Sequence, residues 1–232
     1  MTAAADRSGR MLATGFNYRF YPSVLKAREL FDSGIIGRLD HIRAYTGYSA
    51  TAHHQAWLHD AVEMGGGALR DNGIHLIDLV LYFLGDVQEL TGYTSEAVWR
   101  YPGCEDNGFG LLRGANGALA SVHASWTEWA GYQFRLEIYG ARGAIRLLCF
   151  PMFTQAVWSE ETGGPVRRRR WIFPRDQVME KFKSYRWAVV ESFVKEFQAL
   201  ERAVRGESTP AATGQDGLRA VEVAAAIAGT SE

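Results

Sequence analysis

The sequence predicts an α+β domain, built as a largely antiparallel open-faced sheet with helices on one face. Three observations support this fold class. Between residues 88 and 173, short strand-like segments follow one another across brief turns, which is typical of antiparallel pairing. Segment 118–129 alternates two sets of side chains, which predicts a sheet with one buried face. Segments with the helical spacing of apolar residues stand on both sides of this region.

The first 64 residues predict both helix and strand. Pro22 favours the start of a helix, because proline fits the first helical turn, and Gly34 favours its end. The connection at 49–64 is long, and connections of that length usually carry function or disorder. The predicted elements are the end of a helix at 2–9, a short buried strand at 11–16, a helix between Pro22 and Gly34, and a strand at 39–48.

A strongly apolar helix is the most informative stretch. It begins after the three glycines at 65–67 and ends at Gly85. At about 100° per residue, its four polar residues fall on one narrow stripe, and burying them requires a polar network or a functional pocket. These residues are Asp71, His75, Asp78 and Tyr82.

Asp71 and His75 are spaced as i and i+4, which lets a carboxylate and an imidazole point into one volume. Such a pair can act as acid and base, because histidine titrates near neutrality and the carboxylate orients it. The glycines at 65–67 allow a ligand to approach the backbone closely. The alternative is structural: Asp71 caps the first turn, and His75 is a core histidine with its hydrogen bonds satisfied.

The loop at 49–64 contains His53, His54 and His59, but their spacing does not place three metal ligands on one element. We therefore interpret the loop as solvated and packed around Trp57, with no metal site.

The strands after the central helix are predicted from alternation and from turn residues such as Asn116-Gly117. The run of four arginines at 167–170 lies in the last strand. Arginines pointing to both faces favour an exposed edge strand, with Glu160 and Glu161 as partners, over nucleic-acid binding. The predicted strands are 88–99, 108–113, 118–128, 133–139, 144–150, 152–159 and 166–173.

The C-terminal region returns to helix. Apolar residues recur every three or four positions from residue 176 to Gly206, and an alanine-rich helix follows at 215–228. We interpret the first stripe as core. Its members are Val178, Phe182, Tyr185, Val189, Phe193, Phe197, Leu200 and Val204.

The composition indicates an ordinary soluble protein. The chain has 232 residues, 47% hydrophobic and 22% charged, and a net charge of −1, which favours neither a nucleic-acid nor a membrane partner. Its two cysteines make neither a disulfide framework nor a metal site. The first residues lack the apolar core of a signal peptide. A cytoplasmic location is the expectation.

Three segments together carry a resemblance to a known family. They are GFNYRFYP at 15–22, GIIGRL at 34–39 and GGGALRDNGIHLID at 65–78. In this order and at these distances they resemble the glucose–fructose oxidoreductase/inositol dehydrogenase (Gfo/Idh/MocA) family. The resemblance covers most of this chain but only the second half of a family member. It implies that 1–16 is a remnant of the nucleotide-binding domain, and that 17–232 is the substrate and oligomerisation domain.

The resemblance also implies chemistry. Family members transfer a hydride between a sugar or cyclitol carbon and NAD or NADP, with His75 as acid–base group and Asp71 orienting it or holding a substrate hydroxyl. Substrate contacts are implied for Asn17, Tyr18, Arg19, Trp57 and His59.

Two family features have no counterpart in the sequence: the Glu-Lys-Pro motif, and the Gly-x-Gly-x-x-Gly turn that binds a dinucleotide. We therefore expect a chain that is inactive alone and assembles through its sheet face. Truncation, gene splitting or a misplaced start would separate it from its Rossmann domain, and a separate Rossmann-domain chain is then a possible partner. The alternative is a stand-alone domain that binds a sugar or polyol, or only assembles with itself, without redox turnover.

Overall fold

An eight-stranded sheet is the central element of the computed structural model, which describes residues 1–52, 56–183 and 186–229. The strand order is β2-β3-β4-β1-β5-β6-β7-β8. Among the described strands, β1 and β4 form a parallel pair, and every other neighbouring pair is antiparallel. The strands are β1 (Leu39–Gly47), β2 (Val87–Ser95), β3 (Asn107–Gly114), β4 (Leu119–Ser125), β5 (Gln133–Gly140), β6 (Gly143–Leu148), β7 (Phe153–Trp158) and β8 (Arg167–Ile172).

The helices cover one face of this sheet. On β4, Ala120, Val122 and Ala124 are buried on the helix side, whereas Leu119 on the other face is half exposed. The predicted alternation and the α+β class are therefore confirmed. The helices are α1 (Thr2–Ser8), α2 (Pro22–Asp32), α3 (Ala61–Met64), α4 (Asn72–Leu84), α5 (Pro174–Lys183), α6 (Arg186–Val204) and α7 (Gly214–Gly229). No helix in these described ranges is both long and apolar enough to cross a membrane.

The arginine-rich strand β8 lies at the edge of the sheet, as predicted. The arginines at 167–170 are exposed, and Arg167 Nη1 lies 3.0 Å from Glu160 Oε1. Charged side chains on an edge strand oppose pairing with another chain. This role explains the four arginines, and nucleic-acid binding is not needed to explain them.

The prediction of a buried strand at 11–16 is wrong. Ala13 makes one isolated bridge with Thr213, and Phe16 alone in the segment is buried. The segment runs beside the start of α7, where Thr14 N–H donates to Ala212 O and Gly214 N–H donates to Leu12 O. These bonds satisfy part of the hydrogen-bonding capacity of the 11–16 backbone, which does not join the main sheet.

The interpretation of the α5–α6 stripe as core is also wrong. Phe182 is 80% exposed and Phe197 is 67% exposed, and Tyr185 lies outside the described residues. The helix α6 is buried through small and polar residues instead: Ala188, Ser192, Glu196 and Ala199. Helical periodicity identifies a helix, but the neighbouring surface decides which of its faces is covered.

A buried polar network fixes α6 and α4 to the 3₁₀ turn at Asn17–Phe20. Arg19 Nε and Nη2 donate to the two carboxylate oxygens of Asp78 on α4, at 2.9 and 2.6 Å. Asn17 Nδ2 donates to Ser192 Oγ on α6 at 2.8 Å. Polar groups removed from water require such partners, so these bonds determine where the turn packs.

Glu196 is the incompletely paired member of this network. Its Oε1 atom is buried without a hydrogen-bond partner among the described residues. Burial, and then the negative charge of Asp78, raises the pKa of Glu196 to about 7, and Arg19 opposes this shift. The neutral acid is therefore the favoured form of Glu196 below neutral pH.

We expect the replacement Glu196→Gln to remove a pH dependence of stability. The pKa of an unfolded glutamate is ~4.3, so the raised pKa of Glu196 contributes its full stabilisation of the fold below that pH. This contribution decreases as the pH rises towards 7. The melting temperature should fall from pH 5 to pH 8 in the unmodified chain and fall less in the variant. The exposed Glu201 on the same helix supplies the control, Glu201→Gln, and equal slopes in all three proteins would contradict the assignment.

Candidate functional site

A cleft of about 640 Å³ opens at the end of the sheet where β1 and β4 finish. Its walls come from the connections after β1, β4 and β6, from the 3₁₀ turn at Asn17–Phe20, from the start of α4 and from α6. Mostly aromatic and small polar residues form the lining, which is usual for small-molecule sites. The lining residues are Tyr18, Tyr48, Ser49, Thr51, Asn72, Gly131, Tyr132, Phe150 and Val189.

Asp71 lies at the N-terminus of α4 and is held by two side chains from strand ends. Its Oδ2 accepts hydrogen bonds from the Tyr48 hydroxyl and, at 3.0 Å, from Trp126 Nε1. Burial and the Asp71 carboxylate raise the pKa of Tyr48 above its usual value, so the phenol stays protonated and donates. Asp71 makes no side-chain capping bond, and the capping alternative is therefore wrong.

His75 follows one turn later on α4 and is enclosed by aromatic rings. Its imidazole stacks on the Tyr18 ring with centroids 4.6 Å apart, and Phe16 meets it edge-on at 5.8 Å. Burial lowers the pKa of His75 to about 4, although the nearby Asp71 carboxylate acts to raise it. The imidazole is therefore neutral at pH 7. Its Nδ1 is buried without a hydrogen-bond partner in the described part of the chain, unlike that of a satisfied core histidine.

A pair of phenols connects the Tyr18 ring, which stacks on His75, to the residue before β5. The hydroxyls of Tyr18 and Tyr132 lie 2.6 Å apart, and Tyr132 also meets the Phe150 ring edge-on. Burial raises the pKa of both hydroxyls, so both remain neutral donors and acceptors. The Tyr132 hydroxyl and the Phe134 ring thus hold the Tyr18 ring in its stacked position on His75.

The glycine run before α4 does not form an anion cradle. The carboxylate of Glu105 accepts hydrogen bonds from Gly67 N–H at 2.7 Å and from Leu69 N–H at 2.8 Å. A Cβ at Gly67 would lie 2.1 Å from the Glu105 carbonyl oxygen, so the glycine is required by chain packing. A dinucleotide pyrophosphate needs free backbone N–H groups, whereas the Gly67, Ala68 and Leu69 amides of this turn donate to Glu105. The expected close approach is therefore made by Glu105.

The other predicted contact residues are distributed differently. Tyr18 lines the cleft, whereas Asn17 and Arg19 are buried behind it in the network described above. His59 stacks on Tyr101 with centroids 3.9 Å apart, and Trp57 is half exposed in the same loop. The histidines at 53 and 54 lie outside the described residues.

Sequence reasoning missed four residues of the candidate site: Tyr48, Tyr132 and Phe150, which line the cleft, and Trp126, which donates to Asp71. Each follows a strand or precedes one at the same end of the sheet. The signal that could have identified Trp126 is its indole N–H, because a buried indole needs a hydrogen-bond acceptor.

Comparison with known proteins gives one family. The model of the GFO/IDH/MocA C-terminal domain matches residues 24–146. The myo-inositol 2-dehydrogenase of Thermotoga maritima is 27% identical over 225 residues, which are 95% of this chain and 62% of that protein. The 1,5-anhydro-D-fructose reductase of Ensifer adhaerens is 25% identical over 229 residues, 98% of this chain and 64% of the relative.

A solved structure supports the same assignment at the level of the fold. An NAD-binding oxidoreductase from Klebsiella pneumoniae superposes with a TM-score of 0.81 at 19% identity, covering 99% of this chain and 66% of the other. This chain therefore spans less than two thirds of the length of the two curated relatives described above. With the family model matching more than half of its residues, the chain belongs to the Gfo/Idh/MocA family.

Proposed function

We propose that this chain is the substrate-binding and catalytic part of an NAD(P)-dependent oxidoreductase that acts on a sugar, cyclitol or related polyol. One observation carries the proposal: a neutral imidazole with a buried, unpartnered nitrogen stands one helical turn after a carboxylate and stacks on Tyr18, which lines an aromatic cleft. The relatives support the substrate class, since one is named for myo-inositol and another for 1,5-anhydro-D-fructose.

In this proposal His75 accepts the hydroxyl proton as the alcohol carbon is oxidised. A depressed pKa keeps the imidazole in its proton-accepting form, and the Asp71 carboxylate stabilises the imidazolium that forms. Asp71 is itself positioned by the Tyr48 and Trp126 donors, so it orients rather than reacts. Tyr18 packs against the imidazole and borders the substrate volume. A nicotinamide supplies hydride-accepting chemistry when bound.

The residues described do not fit the dinucleotide. The Glu105 carboxylate occupies the amides of the glycine turn, and no other glycine-rich turn in the described part of the chain leads from a parallel strand into a helix. We therefore assign cofactor binding to a Rossmann domain not represented in the described fold. We retain residues 17–232 as the substrate and oligomerisation unit and residues 1–16 as a segment related to that second domain.

The open face of the sheet is the proposed surface for self-association. It carries Tyr93, Phe109 and Leu111, each about half exposed or more, and stacked pairs such as Phe109–His123 at 3.8 Å. Exposed apolar surface of this extent commonly marks an interface. A second copy of the chain placed sheet to sheet would cover it.

Replacing His75 should impair turnover more than folding. With a Rossmann domain supplied, His75→Ala should reduce polyol oxidation by roughly 10²–10⁴, the usual effect of losing an acid–base group. The control is His41→Ala, because His41 stacks on Tyr139 of β5, away from the cleft residues. If His75→Ala lowers the melting temperature but retains activity per folded molecule, His75 is structural.

The purified chain should bind NADH only weakly. The Gly67 and Leu69 amides of its glycine turn already donate to Glu105. Titration with NADH, followed by nicotinamide fluorescence, should therefore give a Kd above about 100 μM, which corresponds to a binding free energy weaker than about −5.5 kcal/mol. Tighter binding would locate a cofactor site within this chain. Saccharide binding without turnover, even after a Rossmann domain is supplied, would favour the stand-alone polyol-binding alternative.

Self-association should depend on the open sheet face. Light scattering at micromolar concentration should show a dimer or larger species, and Phe109→Glu should shift it towards the monomer because a carboxylate resists burial. The control Phe197→Glu changes a phenylalanine on α6 that is 67% exposed, against 49% for Phe109. A monomeric unmodified chain would contradict this assignment.

A further inference from the structure

A row of stacked rings stands at the same end of the sheet as the cleft. His59 and Tyr101 are nearly parallel at 3.9 Å, and Tyr101 and Trp99 are nearly parallel at 6.5 Å. Trp129 completes the row, with its ring centroid 5.7 Å from that of Trp99 and the planes tilted by 40°. We refer to these four residues as the aromatic row.

Trp99 is rigidly held inside this row. Its indole Nε1 donates to the carbonyl of Trp126 at 3.0 Å, and its backbone N–H donates to the Asp106 carboxylate. Trp129 packs against this fixed ring but remains 67% exposed. An indole left open to water on a fixed support is a preorganised apolar surface, since little side-chain entropy remains to be lost on binding.

The row is continuous with the cleft through two connections. The turn that carries Trp129 also supplies Gly131 and Tyr132, which line the cleft. The carbonyl that fixes Trp99 belongs to Trp126, whose indole in turn donates to Asp71. Trp129 therefore lies two residues before Gly131, in the turn that forms part of the cleft wall.

We propose that Trp129 forms a second-ring subsite, so that the preferred substrate is a glycoside or disaccharide. One ring occupies the cleft beside Tyr18, which stacks on His75, and the C–H face of the next pyranose packs on the exposed indole. This inference rests on the function proposed above and specifies its substrate class. The cleft that would hold the first ring has a volume of about 640 Å³, within the ~300–1,000 Å³ range of small-molecule sites.

The charges near the row favour a neutral ring over a nucleotide. Glu128 precedes Trp129, Asp106 holds the Trp99 amide, and Glu96 accepts from Gly103 N–H in the same loop. Arg100, beside Trp99, donates to the carbonyl of Ala97 within its own loop. A nucleoside diphosphate would bring two or more negative charges towards these carboxylates, whereas a sugar ring brings none.

The test measures the affinity of the chain for paired ligands: glucose with cellobiose and maltose, and myo-inositol with galactinol. The unmodified chain should bind a two-ring member more tightly than its one-ring partner. Trp129→Ala should weaken that binding roughly tenfold, which is the scale of one aromatic stacking contact, and leave the one-ring ligand unchanged. Trp129→Phe should restore most of the affinity. The control is Phe197→Ala, a ring of the same exposure on α6.

The outcomes separate the subsite from the redox proposal. Equal affinities within every pair, or two-ring binding unaffected by Trp129→Ala, would overturn the subsite and leave the proposed oxidoreductase intact. Trp129-dependent binding without turnover in the presence of a Rossmann domain and NAD(P) would support the subsite and overturn the redox function. Failure to bind any saccharide would overturn both. Dissociation of an oligomer by Trp129→Ala would assign the indole to an interface and overturn the subsite.

Discussion

The buried ion pair between Arg19 and Asp78 is the interaction on which the site depends. Both carboxylate oxygens of Asp78 accept from the guanidinium, and removing one partner of such a pair typically costs about 3–5 kcal/mol because a buried charge is left alone. Arg19 belongs to the turn that also carries Tyr18, and Asp78 lies three residues after His75 on α4. The pair therefore holds the turn against the helix, which places the Tyr18 ring on the imidazole.

The positions of the strands and most helices follow from local sequence patterns. Alternation and turn residues located all eight strands to within a few residues, because most of the strands present one covered face. Local pattern failed where a tertiary contact decided the outcome. Segment 11–16 has strand composition but no main-sheet neighbour, and α6 is covered on its small and polar side. Periodicity identifies a helix or a strand but does not determine which neighbouring element it packs against.

The candidate site was likewise predictable only where it depends on local spacing along the chain. The i, i+4 spacing of Asp71 and His75 places them on one helical stripe, so sequence alone brings them together. Tyr48 and Trp126 reach Asp71 only because β1 and β4 are paired in register, which no local pattern encodes. The glycine run is a further case: composition shows that something approaches the backbone closely, and only the fold identifies it as Glu105.

The direction of the strands divides the connecting loops into two classes with different tolerance to length change. The β3–β4, β5–β6 and β7–β8 turns lie at the end of the sheet remote from the cleft, whereas the connections after β1, β2, β4 and β6 lie at the cleft end. Insertions in the remote turns leave the register of Gly47 opposite Ser125 intact. A one-residue insertion within β4 would instead turn Trp126 to the opposite face and remove a donor from Asp71. Divergence in loop length among descendants of this fold should therefore accumulate at the remote end.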